Sequence, residues 1–226
     1  MAKIQFVEQS HEVLGWYGEG PLNFDESAAG HIANVARTCY QSKPEKSDSP
    51  YSDVRIEVHD ESQERLVRSL IKRGHEAMLE HSFLSVRFLT DRGVANEIVR
   101  HRLFSFAQES TRYVAYQKRG FRFVMPVGIT DEQKAIVRAS CQFAADNYEI
   151  LTKIGATPEE ARAVLPLCTA TEIVVSGNMR EWRHCLRLRT ERHAHPQIRA
   201  LFTPLLRELQ RDIPVIFDDL NHDDVS

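Results

Sequence analysis

The chain of 226 residues is 42% hydrophobic and 27% charged, with a formal net charge of −3. That length supports one large domain with a substantial core, and the composition excludes a disordered or membrane-spanning class. The nearly balanced charge excludes a general affinity for nucleic acid or anionic lipid, so any anion binding must come from local clustering. Arginines do cluster, from Arg100 to Arg122 and again from Arg180 to Arg199, while Asp218 to Asp224 is acid-rich. The four cysteines (Cys39, Cys141, Cys168 and Cys185) are widely spaced without a CxxC pair. Such spacing argues against a zinc knuckle or a disulfide framework and suits a reducing cytoplasm. The opening MAKIQFVEQSHEVLGW lacks the apolar core of a signal peptide, and no apolar run approaches membrane-spanning length. A soluble, cytoplasmic protein is expected.

In chain order, Glu26 to Tyr40 carries a helical pattern with Ile32, Val35 and Ala36 on one side. Gln41 to Ser52 (QSKPEKSDSPYS) loses any apolar period and is expected to be flexible, either a lid or a solvated loop. Ser62 to Arg73 resumes a helical pattern through Leu66, Leu70 and Ile71. Ser82 to Thr90 alternates, with Leu84, Val86 and Phe88 on one face, and predicts a strand. Asp91-Arg92-Gly93 then turns into a predicted helix from Val94 to about Leu103.

Phe121 to Val127 is short and apolar, ended by Pro126, and Asp131 is expected to cap a long helix that Gly155 stops. Thr157-Pro158-Glu159-Glu160 places proline at the first helical position and acids in the first turn, a helix start that Pro166 cuts short. Thr169 to Val175 predicts a β-branched strand, followed by helices over Asn178 to Thr190 and Pro196 to Asp212. The sum is α+β, a single domain over residues 1–226 with a modest, mostly antiparallel sheet and several helices. It lacks the regular strand–helix alternation of a doubly wound fold.

Polar chemistry concentrates in Arg100 to Tyr113, RHRLFSFAQESTRY, where a helix is expected to hand over to a loop. On a helix Arg100 and His101 would lie near Glu97. Ser105, Gln108, Ser110 and Arg112 follow closely, and turn amides beside an Arg fork suit a phosphate monoester. A solvated basic helix end is the plain alternative for any short basic run. In Asn178 to Arg189, the first and last residues are about three turns apart and nearly eclipsed. Arg180, Arg183, His184 and Arg187 gather on the opposite side. A helix basic on two sides packs poorly unless anions or subunits sit against it; a surface helix paired to neighbouring acids is the alternative. His184, His193 and His195 also lie near Cys185, but no pair has the i, i+4 spacing of a helical metal site, and no metal is expected.

The run from Arg100 to Arg112 resembles the RHRxxSxxxxSxR motif of flavin-dependent thymidylate synthases, with every specified position present. Gly74-His75-Glu76-Ala77-Met78-Leu79-Glu80-His81 is similar to the GHE…EH segment of that family; a zincin helix would need histidine where Leu79 stands. Ala161 to Leu167 is similar to its ARxVLP segment, and Asn178 to Arg189 to the segment carrying its Asn, Arg and distal Arg. These four segments stand in the family's order, and the resemblance covers roughly Glu26 to Asp212.

The resemblance implies reductive methylation of dUMP to dTMP. Methylenetetrahydrofolate gives the carbon, reduced FAD the hydride, and NADPH re-reduces the flavin. It implies dUMP contacts from Glu97, Arg100, Gln108, Glu109, Ser110, Arg112, Arg162 and Arg189. It implies FAD contacts from His75, Ala77, Glu80, Arg100, His101, Arg102, Gln108, Asn178, Arg180 and His184. It implies Arg189 as the catalytic residue, holding an enolate-like uracil beside fixed positive charge, with Ser110 as a positioning hydroxyl. It also implies a homotetramer whose active sites draw on several subunits. Two alternatives remain open at this point: a non-catalytic nucleotide- or RNA-binding module, and a flavoprotein oxidoreductase with another substrate.

Overall fold

The computed structural model describes residues 1–15, 24–40, 61–112, 116 and 120–220, except for the side chains of 24–27, 34 and 38–40. The expected flexible segment 41–52 and most of the acidic tail, 221–226, lie outside the described residues, as does the Cys39 side chain. The chain gathers into two compact units, each built from discontinuous segments. Unit 1 comprises Met1–Glu12, Val86–Val175 and His195–Leu201; unit 2 comprises Val13–Ser85, Ser176–Ala194 and Phe202–Ser226. Four strands form a small antiparallel sheet in the order β2 (Ser10–Gly15), β3 (Phe83–Asp91), β6 (Ala170–Asn178), β4 (Ser105–Gln108). Separately, β1 (Ile4–Val7) pairs in parallel with β5 (Phe121–Val124), Ile4 opposite Phe121 and Val7 opposite Val124.

The alternation expected for β3 is present: Leu84, Val86 and Phe88 are buried, while Phe83 and Arg87 face outward. In unit 1 the long helix α4 (Asp131–Lys153) lies against β1. Thr130, not Asp131, caps it; its hydroxyl accepts from the Gln133 amide while the Gln133 side chain accepts from the Thr130 amide. A reciprocal cap of this kind stabilises a helix by ~1 kcal/mol. Thr157 and Glu160 repeat the device at α5 (Pro158–Ala161), which passes into a short 3₁₀ turn over Arg162–Val164. Beneath α4, Tyr116 stacks on Phe121 at 5.4 Å, and Tyr148 meets both rings edge-on.

The helix α3 (Arg92–Ile98) is shorter than its sequence suggests. Asp91 caps it by accepting from the Val94 amide at 2.8 Å. Beyond Ile98 the bonds tighten, Arg100 N donating to Glu97 O and His101 N to Ile98 O, and His101 turns inward to 7% exposure. Arg100-His101-Arg102 therefore sits on a tight turn, followed not by a loop but by β4.

In unit 2, α1 (Phe24–Tyr40) packs on α2 (Glu61–Lys72), and both meet the short helix α8 (Pro214–Phe217). A left-handed Gly74 (φ 72°) ends α2; the His75 amide returns to the Leu70 carbonyl, and a 3₁₀ helix follows over Glu76–His81. That helix packs against α6 (Met179–Thr190), whose N-cap is Asn178. Trp182 anchors α6 from within, its indole N–H donating to the Leu84 carbonyl at 3.0 Å. The helix α7 (Pro196–Asp212) completes the elements.

Candidate functional site

Each unit collects one group of the residues singled out in the sequence. Unit 1 brings together Glu97, Arg100, His101, Arg102, Gln108, Glu109, Ser110, Arg112 and Arg162. The turn after α3 leaves Arg100 and Arg102 exposed and buries His101, whose ring lies 6.0 Å from that of Phe104. Strand β4 then carries the chain to Gln108, whose amide N–H reaches Thr171 Oγ1 at 3.4 Å. Glu109 is fixed from three directions: its amide donates to the Glu172 carbonyl at 2.8 Å, its carboxylate accepts from the Glu172 amide, and Arg122 lies 3.5 Å away. Glu109 is thus occupied within the unit and is the least available of the residues expected to meet a nucleotide.

Past β4 the backbone turns at Thr111 and Arg112. Ser110 Oγ accepts the Arg112 amide hydrogen at 3.3 Å, and among the described residues no histidine or carboxylate meets that hydroxyl. The buried Thr111 accepts from Arg162 Nη1 at 2.9 Å. Arg162 Nε donates in turn to the Glu159 carbonyl, and Arg112 Nε stands 3.9 Å from the Glu159 carboxylate. Two separated sequence segments therefore meet in one cluster of outward-facing guanidinium groups beside a hydroxyl-rich turn. Such a cluster suits a phosphate monoester. Sequence reasoning missed Thr111, which occupies an unspecified place in the motif.

It also missed His195, noted only for its proximity to other histidines. His195 Nδ1 lies 2.8 Å from Glu97 Oε1, within unit 1. The carboxylate accepts, so Nδ1 carries the hydrogen and the pair fixes the Glu97 orientation. Asp91, behind them, has its carboxyl raised above the ordinary range by burial, against the opposing pull of the Val94 and Gly93 amides.

Unit 2 brings together His75, Ala77, Glu80, Asn178, Arg180, His184 and Arg189. Asn178 Oδ1 accepts from the Glu181 amide at 2.9 Å, which leaves the Nδ2 end of the amide for other partners. Arg180 and Glu80, both singled out for the same role, are hydrogen-bonded to each other. Glu76 stands 3.8 Å from both Arg180 and Arg183. His75, Ala77 and His184 are exposed, and Arg189 is half-buried on the last turn of α6. Arg183 departs from the two-sided basic helix expected: it is 1% exposed and points inward. Its guanidinium donates to both Asp219 oxygens, at 2.6 and 2.7 Å, and to the Ile216 carbonyl. The anion demanded by that side of the helix is supplied by the chain's own C-terminal segment.

The outward guanidinium, imidazole and amide groups of unit 2 fit a large anionic ligand that also presents hydrogen-bonding ring edges. Among the described residues no three His, Cys, Asp or Glu side chains group as metal ligands, and no helix is long and apolar enough to cross a membrane. The described cysteines are free thiols; Cys185 is fully buried, and burial pushes its thiol up.

Residues 22–215 match the family model described as thymidylate synthase complementing protein. A flavin-dependent thymidylate synthase of Geobacter sulfurreducens is 32% identical over 191 residues, covering 83% of this chain and 80% of the relative. Its counterpart in Mycobacterium marinum is 34% identical over 203 residues, covering 82% of this chain and 76% of the relative. Among solved structures, a UMP/dUMP methylase PolB of Streptomyces cacaoi, bound with 5-Br dUMP, aligns with a TM-score of 0.74 at 20% identity. That alignment covers 96% of this chain and 95% of the other.

Proposed function

The chain belongs to the thymidylate synthase complementing protein family, with flavin-dependent thymidylate synthases as relatives, and from that premise we propose how its residues divide the work. The reaction is dUMP + methylenetetrahydrofolate + NADPH + H⁺ → dTMP + tetrahydrofolate + NADP⁺, with FAD as the resident redox group. The observation that carries the assignment of residues is the hydrogen bond from Arg162 to Thr111, 2.9 Å. It joins the ARAVLP segment to the turn bearing Ser110 and Arg112.

In this reading Arg100, Gln108, Ser110, Arg112 and Arg162 hold dUMP. Arg112 and Arg162 act as forks for the phosphate, and Ser110 is a positioning hydroxyl. A serine without a base partner is a weak nucleophile, which agrees with its surroundings. Glu97 is a further nucleotide contact, held in orientation by His195. Glu109 stays on the nucleotide side as a support tied to Glu172 and Arg122. FAD is held by His75, Ala77, Glu80, Asn178, Arg180 and His184, with Arg100, His101, Arg102 and Gln108 contributing from their turn and strand; His101, being buried, offers less of its ring than the others. Bound and reduced, FAD supplies the hydride.

Uracil C5 becomes nucleophilic when the ring carries negative charge. Cys185 is sealed in the core with its thiol pushed up by burial, so it does not supply a thiolate to C6. Arg189 takes that task by holding positive charge against the deprotonated ring, a preorganised electrostatic contribution. We place the activity in the cytoplasm, consistent with the free thiols, and in a homotetramer whose subunits share ligand contacts. The family match runs through both units, which supports one functional domain.

The purified protein is expected to show a flavin spectrum and to release tritium from 5-tritiated dUMP only with folate and NADPH present. Protein without flavin would favour a nucleotide-binding module. Flavin reduction without tritium release would favour an oxidoreductase of another substrate and overturn the proposal.

A further inference from the structure

Helix α4 buries one side only, through Cys141, Ala144, Ala145 and Tyr148. Its other side exposes Ile136 (69%), Phe143 (69%) and Ile150 (54%), and Ile154 (75%) continues the line just past its last turn. Among the described residues no other helix exposes more than one large apolar side chain. The interval from Ile136 to Phe143 and from Phe143 to Ile150 is a heptad, so the three lie along one seam, and Ile154 follows one turn later. Ser140 and Asn147 fall between them in the same seam. A solvated helix face has no need of this pattern, whereas a helix–helix contact requires it.

Its three heptad positions, Ile136, Phe143 and Ile150, are also symmetric about Phe143. Two such helices laid antiparallel set Phe143 against itself, with Ile136 of each copy opposite Ile150 of the other. Charge favours the same arrangement. The first turn of α4 carries Asp131 and Glu132, and the last turn Lys153. Antiparallel pairing brings Lys153 of one copy to the acidic first turn of the other and opposes the two helix dipoles. Parallel pairing would stack like on like. Four side chains of this size, half to three-quarters exposed, offer roughly 500 Å² per copy, more than half of what each partner gives to a stable interface. Ser140, Asn147 and the flanking charges extend that contact.

We propose that α4 is a self-association surface on which a second copy of this chain docks antiparallel, with Phe143 on the two-fold axis. This gives the multimer proposed above one defined contact, and it stands or falls separately from the activity, because tritium release tests the activity and mass tests the contact.

The test is light scattering after size exclusion, combined with cysteine cross-linking. Phe143→Glu is expected to halve the mass of the assembly and to raise its dissociation constant at least 100-fold; Phe143→Leu is expected to keep the wild-type mass. For register, Phe143→Cys alone should form a disulfide-linked dimer under a mild thiol oxidant. A mixture of Ile136→Cys and Ile150→Cys chains should cross-link through residues 136 and 150, while Ile136→Cys alone should not. Peptide mass spectrometry locates the bridge, and the unaltered chain controls for its own thiols. Cross-linking of Ile136→Cys with itself would overturn the antiparallel register. A monomeric wild type, or unchanged mass in a folded Phe143→Glu variant, would overturn the surface. If Phe143→Glu fails to fold, the cross-linking pattern decides alone.

Discussion

The two arginine clusters resemble each other in sequence and differ in what the fold does with them. In unit 1, Arg100, Arg102, Arg112 and Arg162 all face outward, and the fold's contribution is to aim them: Arg162 through the hydroxyl of Thr111, Arg112 through the turn at Ser110. In unit 2, helix α6 splits its cations. Arg183 enters the core and donates to Asp219 and the Ile216 carbonyl, while Arg180 is exposed and Arg189 half-buried. Clustering therefore marks where cations are, and only the fold separates those left at the surface from those drawn into the core. Arg183 shows the difference sharply, since it lies between the less buried Arg180 and Arg189 yet ties Ile216 and Asp219 to α6.

Substitutions within α6 test that division most severely. Arg189→Ala is expected to keep flavin and fold while kcat falls about 10²- to 10³-fold, the loss typical of removing one preorganised charge-stabilising donor. Single-turnover tritium release at saturating dUMP measures it, and a variant of near wild-type rate would move the catalytic charge elsewhere. Arg183→Ala is expected to do the reverse. Removing a buried cation leaves Asp219 and the Ile216 carbonyl without their donor, at about 2–3 kcal/mol, part of it screened because Asp219 is half-exposed. Urea unfolding reads that loss, and turnover per folded molecule should stay near wild type. The pH dependence has a defined sign. Hydrogen bonding from Arg183 holds the Asp219 carboxyl below its ordinary range. A lowered folded-state pKa gives stability that is present at neutral pH and is lost as pH falls through and below the carboxylate range. The stability gap between wild type and Arg183→Ala should therefore narrow in acid.

What was legible in the sequence depended on how local its cause was. Strand β3 announces itself by apolar alternation and α4 by its polar start and the Gly155 stop, and the helix starts at Thr157 and Asn178 fall where the sequence marks them. Strands β1 and β4, four residues each, are too short to show a period, and β2 (SHEVLG) alternates without an apolar face. The helical period after Asp91 runs on to Leu103 in sequence, but the helix ends at Ile98, where the Arg100 and His101 amides tighten onto carbonyls three residues back. The motif residues were found because their spacing is local. The pairings that orient them were not: His195 meets Glu97 across 98 positions, and Asp219 meets Arg183 across 36. No periodic signal reaches that far.

Smaller effects sharpen the outward-facing side of the comparison. Arg162→Ala removes one fork and also leaves the buried Thr111 hydroxyl without its donor. Its KM for dUMP is expected to rise about tenfold, equivalent to ~1.4 kcal/mol, with kcat changed far less. Arg162→Lys should recover little, because a point charge cannot reproduce the fork. An unchanged KM would remove Arg162 from the nucleotide set and leave it as a brace for the turn.

The mildest expected effect discriminates most finely, because it concerns a residue that touches no ligand in the reading given above. In that reading His195 acts only by holding the Glu97 carboxylate, 2.8 Å from its Nδ1. His195→Ala is expected to raise KM for dUMP about threefold, the scale of one exposed polar interaction, while leaving kcat and flavin content unchanged. His195→Gln keeps a side-chain N–H donor and should restore much of the affinity, whereas His195→Phe keeps the bulk and should not. A purely structural role predicts another order, with Phe tolerated as well as Gln and any loss appearing in unfolding midpoint and not in KM. If Ala, Gln and Phe all leave KM untouched, Glu97 needs no partner to hold it, and the orientation of the nucleotide-side residues rests on the turn at Thr111 alone.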